Sequence, residues 1–147
     1  HSLGLRAGIY SSPWSTTYAG YRGDSSDHPA GSLPVGQISD WWQRRANLFN
    51  GKGLFSFAPA DARQYATWGF DYLKYDWFPI DGPTTRACAQ ALRESGRDIV
   101  LSLSNTLAPA SVPDVLGHAQ LWRTTNDLRD AWSFNTRTPH TFQGVRD

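Results

Sequence analysis

The chain has 147 residues, which suits one ordinary domain and falls short of the roughly 200–250 residues that a complete α/β barrel occupies. Fourteen Lys and Arg against thirteen Asp and Glu give a net charge of +1, without a basic run or an acidic tail, so nucleic acid and anionic membrane are not expected partners. Cys88 is the only cysteine, which excludes an internal disulfide, a cysteine-rich zinc site and a CxxC redox pair.

Taken in chain order, strand-length apolar runs alternate with segments of helical period, the pattern of βαβ units around a parallel sheet. Residues 5–10 form the first strand candidate. Residues 21–58 follow, rich in Gly, Ser, Asp and Pro and interrupted by an amphipathic stretch at 38–49. This segment reads as a loop insertion on the side of the sheet where substrate loops gather. Residues 59–68 predict a helix with Ala62, Tyr65, Ala66 and Trp68 inward, closed by Gly69 at C′. A strand over 70–75 comes next. Asp81-Gly82-Pro83 then opens a helix whose inner face is Ala87, Cys88, Ala91 and Leu92, stopped by Gly96. A strand over 98–103, a short helix over 111–118 with Ser111 as N-cap, and a strand over 119–124 complete the pattern. No stretch approaches the 18 apolar residues of a membrane span, and the first residues lack the basic-then-apolar order of a signal peptide.

Two strand ends carry chemistry. In Asp71-Tyr72-Leu73-Lys74-Tyr75-Asp76, Lys74 and Asp76 are two apart and share one face, while Leu73 and Tyr75 take the other. A structural ion pair between Lys74 and Asp76 is the alternative to a catalytic carboxylate. In Leu121-Trp122-Arg123-Thr124-Thr125-Asn126-Asp127, Arg123 and Asp127 lie where strand becomes loop. An arginine beside a carboxylate lowers its pKa and burial raises it, so a general acid at Asp127 requires burial or a second carboxylate to dominate. Asp130 reads as a helix N-cap. Trp77, next to Asp76, is the tryptophan placed to stack on a sugar; Trp14, Trp41 and Trp42 are assigned to packing. Arg22-Gly23-Asp24 lies in a loop where such triplets arise by chance. His1, His28, His118 and His140 lack metal-ligand spacing, and His118 suits a helix C-terminus. Ser102 and Ser104 lack a nucleophile-elbow context.

The segments Gly8-Ile9-Tyr10-Ser11, Ala19-Gly20, Trp68-Gly69-Phe70-Asp71-Tyr72-Leu73-Lys74-Tyr75-Asp76 and Trp122-Arg123-Thr124-Thr125-Asn126-Asp127 resemble successive motifs of glycoside hydrolase family 27. This is the α-galactosidase and α-N-acetylgalactosaminidase family. The resemblance implies a (β/α)8 TIM barrel of which the chain covers about the third to sixth β/α units, with residues 1–147 as part of a single catalytic domain. It implies Asp76 as nucleophile and Asp127 as general acid/base of a retaining glycosidase that uses no metal or cofactor. Lys74 and Arg123 would then hold sugar hydroxyls, and Tyr10 would line the pocket. A carbohydrate substrate is the implied partner, and a secreted or periplasmic location follows from the same likeness.

Departures from the family pattern carry expectations of their own. Two cysteines that form a disulfide beside the pocket in animal and plant members fall on Tyr18 and Phe78, whose side chains are expected to replace the bridge by packing. The residue that selects the sugar C2 substituent is Glu in galactosidases and Ser in acetylgalactosaminidases; here it is Ser104, with Leu107 nearby. β-L-Arabinopyranosidase and isomaltodextranase-like activities belong to the same range of expectations, and a noncatalytic sugar-binding relic is the rival of another class. The family's Trp-Asp-Asp region, its first, seventh and eighth strands and its C-terminal β-sandwich have no counterpart. The remainder of the barrel, with or without that sandwich, is therefore expected as a partner.

Overall fold

A computed structural model describes residues 3–14, 56–125 and 127. Four short strands form one parallel sheet in the order β1-β2-β3-β4: β1 is Gly8–Ser11, β2 is Tyr72–Tyr75, β3 is Val100–Leu103 and β4 is Leu121–Trp122. Sequence order and spatial order coincide, as in the unrolled wall of a β/α barrel. The register pairs Tyr10 with Lys74, Lys74 with Ser102, and Ser102 with Leu121. β2, β3 and β4 fall within the ranges expected for them and are shorter, whereas β1 starts three residues later than expected and runs one residue past the expected end.

Alternation along β2 divides the sheet into two faces. Leu73 and Tyr75 are buried on the helix side, where Leu101, Leu103 and Trp122 join them in the apolar core. Three helices cover that side: α1 is Ala58–Trp68, α2 is Gly82–Glu94 and α3 is Val112–Val115. α1 buries Ala58, Ala62 and Tyr65, a stripe at i, i+4 and i+7. Trp68 was expected on that face. It is instead 56 % exposed, because the last helical residue lies past the stripe and packs edge-on against Phe70. Gly69 takes the left-handed φ of 80° and its N–H reaches the Ala66 carbonyl, so the predicted helix stop holds.

α2 starts at Asp81, whose carboxylate accepts a hydrogen bond of 2.7 Å from the Thr84 N–H. Its buried face runs through Thr85, Cys88, Ala89, Ala91 and Leu92, whereas Ala87 is exposed. Cys88, Ala91 and Leu92 are buried as expected, and Ala89 takes the place expected for Ala87, because the two alanines look alike in sequence. The helix predicted over 111–118 is only one turn of α3 after a 3-10 turn at Pro109–Ser111. Ser111 makes no capping bond there. Pro113 and Gly117 limit the helix, and His118 lies three residues past its end with Nδ1 unpartnered among the described residues. His118 is therefore not a side-chain cap.

Residues 15–55, 126 and 128–147 lie outside the described residues, and with them the proposed 21–58 insertion up to the start of α1, Ala19-Gly20, Tyr18, Trp41, Trp42, Asp130 and the Arg22-Gly23-Asp24 triplet. Phe78, expected to pack with Tyr18, is 60 % exposed. Trp14, assigned to packing, is buried in the core.

Two contacts in this framework have measurable consequences. A Cβ on Gly82 would lie 2.7 Å from Asp114 Cβ, where α2 meets α3. Gly82→Ala is expected to destabilise the protein by about 1–3 kcal/mol, read as a lower urea midpoint at unchanged slope. Asp61, on α1 beside Tyr65, has its carboxyl raised to about 6 by burial, an effect the Tyr65 hydroxyl partly offsets. The folded state then binds this proton more tightly than the unfolded chain, so Asp61's contribution to stability is fully present below about pH 4. It is lost as pH rises through about 6. Relative to wild type, Asp61→Asn should gain on the order of 2 kcal/mol between pH 4 and pH 7 in denaturant unfolding.

Candidate active site

Because Leu73 and Tyr75 turn toward the helices, Lys74 and Asp76 turn to the opposite face, at the C-terminal end of β2. Tyr10, beside Lys74 in the register, points the same way, and its hydroxyl donates a hydrogen bond of 2.6 Å to Asp76 Oδ2. The Lys74 ammonium sits 4.9 Å from the centroid of the Tyr10 ring. That cation thus lies over the ring whose hydroxyl bonds Asp76.

Two strands away, Arg123 follows β4 and continues the same alternation, since Trp122 joins the core. Its guanidinium forms an ion pair with Asp127 through Nη1. Nη2 donates to Asn105 Oδ1 at 2.5 Å, reaching a residue just past β3. The Arg123 hydrogen bond and then its charge hold the Asp127 carboxyl below the usual carboxylate range, against an opposing effect of burial that outweighs the weaker pull of the Lys74 charge. Lys74 thus acts electrostatically on Asp127 while standing on the strand that leads to Asp76.

Five of the seven residues singled out in the sequence meet at this end: Tyr10, Lys74, Asp76, Arg123 and Asp127. The other two require correction. Trp77 is 1 % exposed, packed edge-on against Tyr75 at 5.0 Å, with its indole N–H on Asp81. It continues the Leu73, Tyr75 parity and so lies opposite Asp76, where it cannot stack on a sugar. Ser104 is fully buried, and its hydroxyl donates to Asn105 Oδ1 at 3.1 Å. It supports Asn105 from the face that also carries Ser102 and Lys74.

Asn105 is the residue that sequence reasoning passed over. It sat in the right strand, yet its type alone gave no reason to separate it from an ordinary turn asparagine. A second carboxylate belongs elsewhere: Asp71 is paired with Arg97 at 2.6 Å, at the end of β2 away from Asp76. Arg97 also donates from Nε to the Phe70 carbonyl, which makes this pair a structural clamp.

A parallel β/α sheet whose strand ends deliver Asp, Lys, Tyr and Arg side chains to one mouth is the arrangement of β/α-barrel catalytic domains. The chain is similar to alpha-galactosidase 2 of Arabidopsis thaliana, 32% identical over 142 residues that span 92% of this chain and 28% of that protein. A probable alpha-galactosidase of Dictyostelium discoideum is 30% identical over 136 residues, and a rat alpha-N-acetylgalactosaminidase is 29% identical over 143. Among solved structures, a family 27 β-L-arabinopyranosidase from Geobacillus stearothermophilus shares the fold with a TM-score of 0.64 and 22% identity, over 90% of this chain and 33% of that one. The structure of a variant of that enzyme with arabinose matches at a TM-score of 0.61. No protein-family model matches the chain. Nearly the whole chain is thus similar to glycosidases of the α-galactosidase type, and it shares part of the β/α barrel of the solved family 27 enzyme. It spans about 28% of the length of the curated relatives named first.

The electrostatic reading of the mouth can be measured without any assay of activity. In Arg123→Gln, the Asp127 carboxyl should titrate back in the ordinary carboxylate range, followed by carboxyl-carbon NMR, whereas in wild type it titrates below that range.

Proposed function

We propose that the protein carrying this chain is a retaining glycosidase that releases terminal α-galactosyl-type residues, with Asp76 as nucleophile and Asp127 as general acid/base. The observation that carries the reading is that two carboxylates follow strands of one parallel sheet at their C-terminal ends, Asp76 bonded by Tyr10 after β2 and Asp127 bonded by Arg123 beyond β4. Retaining hydrolysis needs one carboxylate that attacks the anomeric carbon and a second carboxyl that protonates the leaving oxygen and then takes a proton from water.

The environments divide those roles. Asp76 is held by the Tyr10 hydroxyl at the end of β2, the fixed position that a group attacking the anomeric carbon requires. Asp127 lies beyond β4 with its side chain 83 % exposed and paired with Arg123, so it can be reached by a leaving group and by water. Arg123 and Lys74 favour its ionised form, which suits the second displacement, in which Asp127 accepts a proton from water. For the first displacement, the negative charge of Asp76 and the exclusion of water by a bound sugar act in the opposite direction and favour protonated Asp127. Once Asp76 is esterified its charge is gone, and the balance swings back toward the base.

The sugar class follows from the relatives. They are named for α-galactose and α-N-acetylgalactosamine, and the solved neighbour for β-L-arabinopyranose. β-L-Arabinopyranose has the ring hydroxyl stereochemistry of α-D-galactopyranose and lacks its hydroxymethyl group, so one frame of hydroxyl-binding side chains serves both. Lys74 and Arg123 are the donors proposed for those hydroxyls, and the rest of the barrel supplies the remaining wall.

In the full-length protein, Asp76→Ala should abolish hydrolysis of an aryl α-galactoside, and azide should restore it as the glycosyl azide. Asp127→Ala should lower kcat by about 10²–10⁴-fold on an alkyl galactoside and far less on an aryl substrate with a good leaving group. Full activity in either variant would overturn the assignment.

A further inference from the structure

The amide oxygen of Asn105 receives two donors at once, the Ser104 hydroxyl at 3.1 Å and the Arg123 Nη2 at 2.5 Å. A carbonyl oxygen has two lone pairs, so these two donors fill this oxygen, and the opposite amide orientation would set an N–H group against the Arg123 guanidinium, which can only donate. Ser104 is fully buried, and Arg123 Nε is buried without a partner among the described residues. The guanidinium is therefore not a mobile surface charge. It is held on one side by a neutral acceptor and on the other by Asp127, in a relay that runs Ser104, Asn105, Arg123, Asp127 from the end of β3 to the loop after β4.

We propose that Asn105 is a positioning residue for the acid/base step: its amide oxygen anchors the Arg123 guanidinium, and the anchored guanidinium holds Asp127 over the mouth of the sheet. Neutrality is the functional part of the choice. A carboxylate at 105 would accept the same two hydrogen bonds and keep the geometry, but it would divide the charge of Arg123 between two anions. Asp127 would then lose part of the attraction that favours its ionised form. A small apolar residue at 105 would leave Nη2 without its anchor and let the guanidinium swing, so that charge and place are lost together. Asn supplies the acceptor while leaving the positive charge for Asp127.

The inference rests on Asp127 being the acid/base of the proposed glycosidase, and two readouts keep the claims apart. The first is the carboxyl titration of Asp127 by NMR in the full-length protein, which requires no activity. Asn105→Asp should raise the midpoint measurably, and Asn105→Ala should raise it toward the ordinary range; an unmoved midpoint in the folded isosteric Asp variant overturns the relay even if the Ala variant does not fold. The second is kinetic. Asn105→Ala should lower kcat by about 10–100-fold on a poor leaving group while changing KM little, and Asn105→Asp should recover most of that loss with its alkaline limb moved to higher pH. A larger loss in Asp than in Ala, or a change in KM alone, overturns the positioning role. If wild type hydrolyses no glycoside, the glycosidase reading fails, and the titration still decides whether Asn105 acts on Asp127.

Discussion

Strand alternation in a parallel sheet is the constraint on which the rest of this structure depends. Leu73, Tyr75 and Trp77 fall on the helix side of β2 and enter the core, which leaves Lys74 and Asp76 no place but the opposite face. The same two-residue period places Leu101 and Leu103 in the core and brings Ser102 beside Lys74. At β4, Trp122 goes inward to the helices and Arg123 to the mouth. A slip of one residue would exchange buried apolar groups for charged ones along β2 and at the end of β4, so the hydrophobic core and the position of the polar cluster are one specification.

The helices serve that register. Gly69 ends α1 and the chain enters β2 within three residues, while the Asp71–Arg97 clamp fixes the near end of the strand against the segment entering β3. Asp81 caps α2 and takes the Trp77 indole, so one carboxylate stitches the exit from β2 to the start of the covering helix. The Thr106 hydroxyl donates to the Trp77 carbonyl at 2.6 Å, tying the exits of β2 and β3 together. Asp76 and Asn105 therefore leave from adjacent, mutually bonded corners, and their spacing is inherited from backbone contacts.

Much of this was legible in the sequence because the signals were periodic. Strands with two-residue alternation, the Gly69 stop and the Asp81 start were all readable, and so was the placement of Asp76 and Asp127 at strand ends. What failed had no periodic signature or ran against one. Trp77 was judged by its nearness to Asp76 in sequence, although parity already assigned it to the core. Ser104 was judged by its matching position in the family. Its hydroxyl shares Asn105 Oδ1 with Arg123, 18 residues away, and no local pattern encodes that. Ala87 and Trp68 were misplaced because helix faces built from alanine, or ending at the last turn, lack a sharp apolar edge.

The central claim is that Asp76, turned to the mouth by strand parity, is the group that takes the sugar. Incubating the full-length protein with an activated galactoside fluorinated to slow hydrolysis of the glycosyl ester, followed by proteolysis and fragment-ion mass spectrometry, locates that bond directly. The account predicts one sugar per chain, on the peptide through Tyr75, Asp76 and Trp77, with the added mass on Asp76. A sugar found on Asp127, or on any other residue, would contradict it.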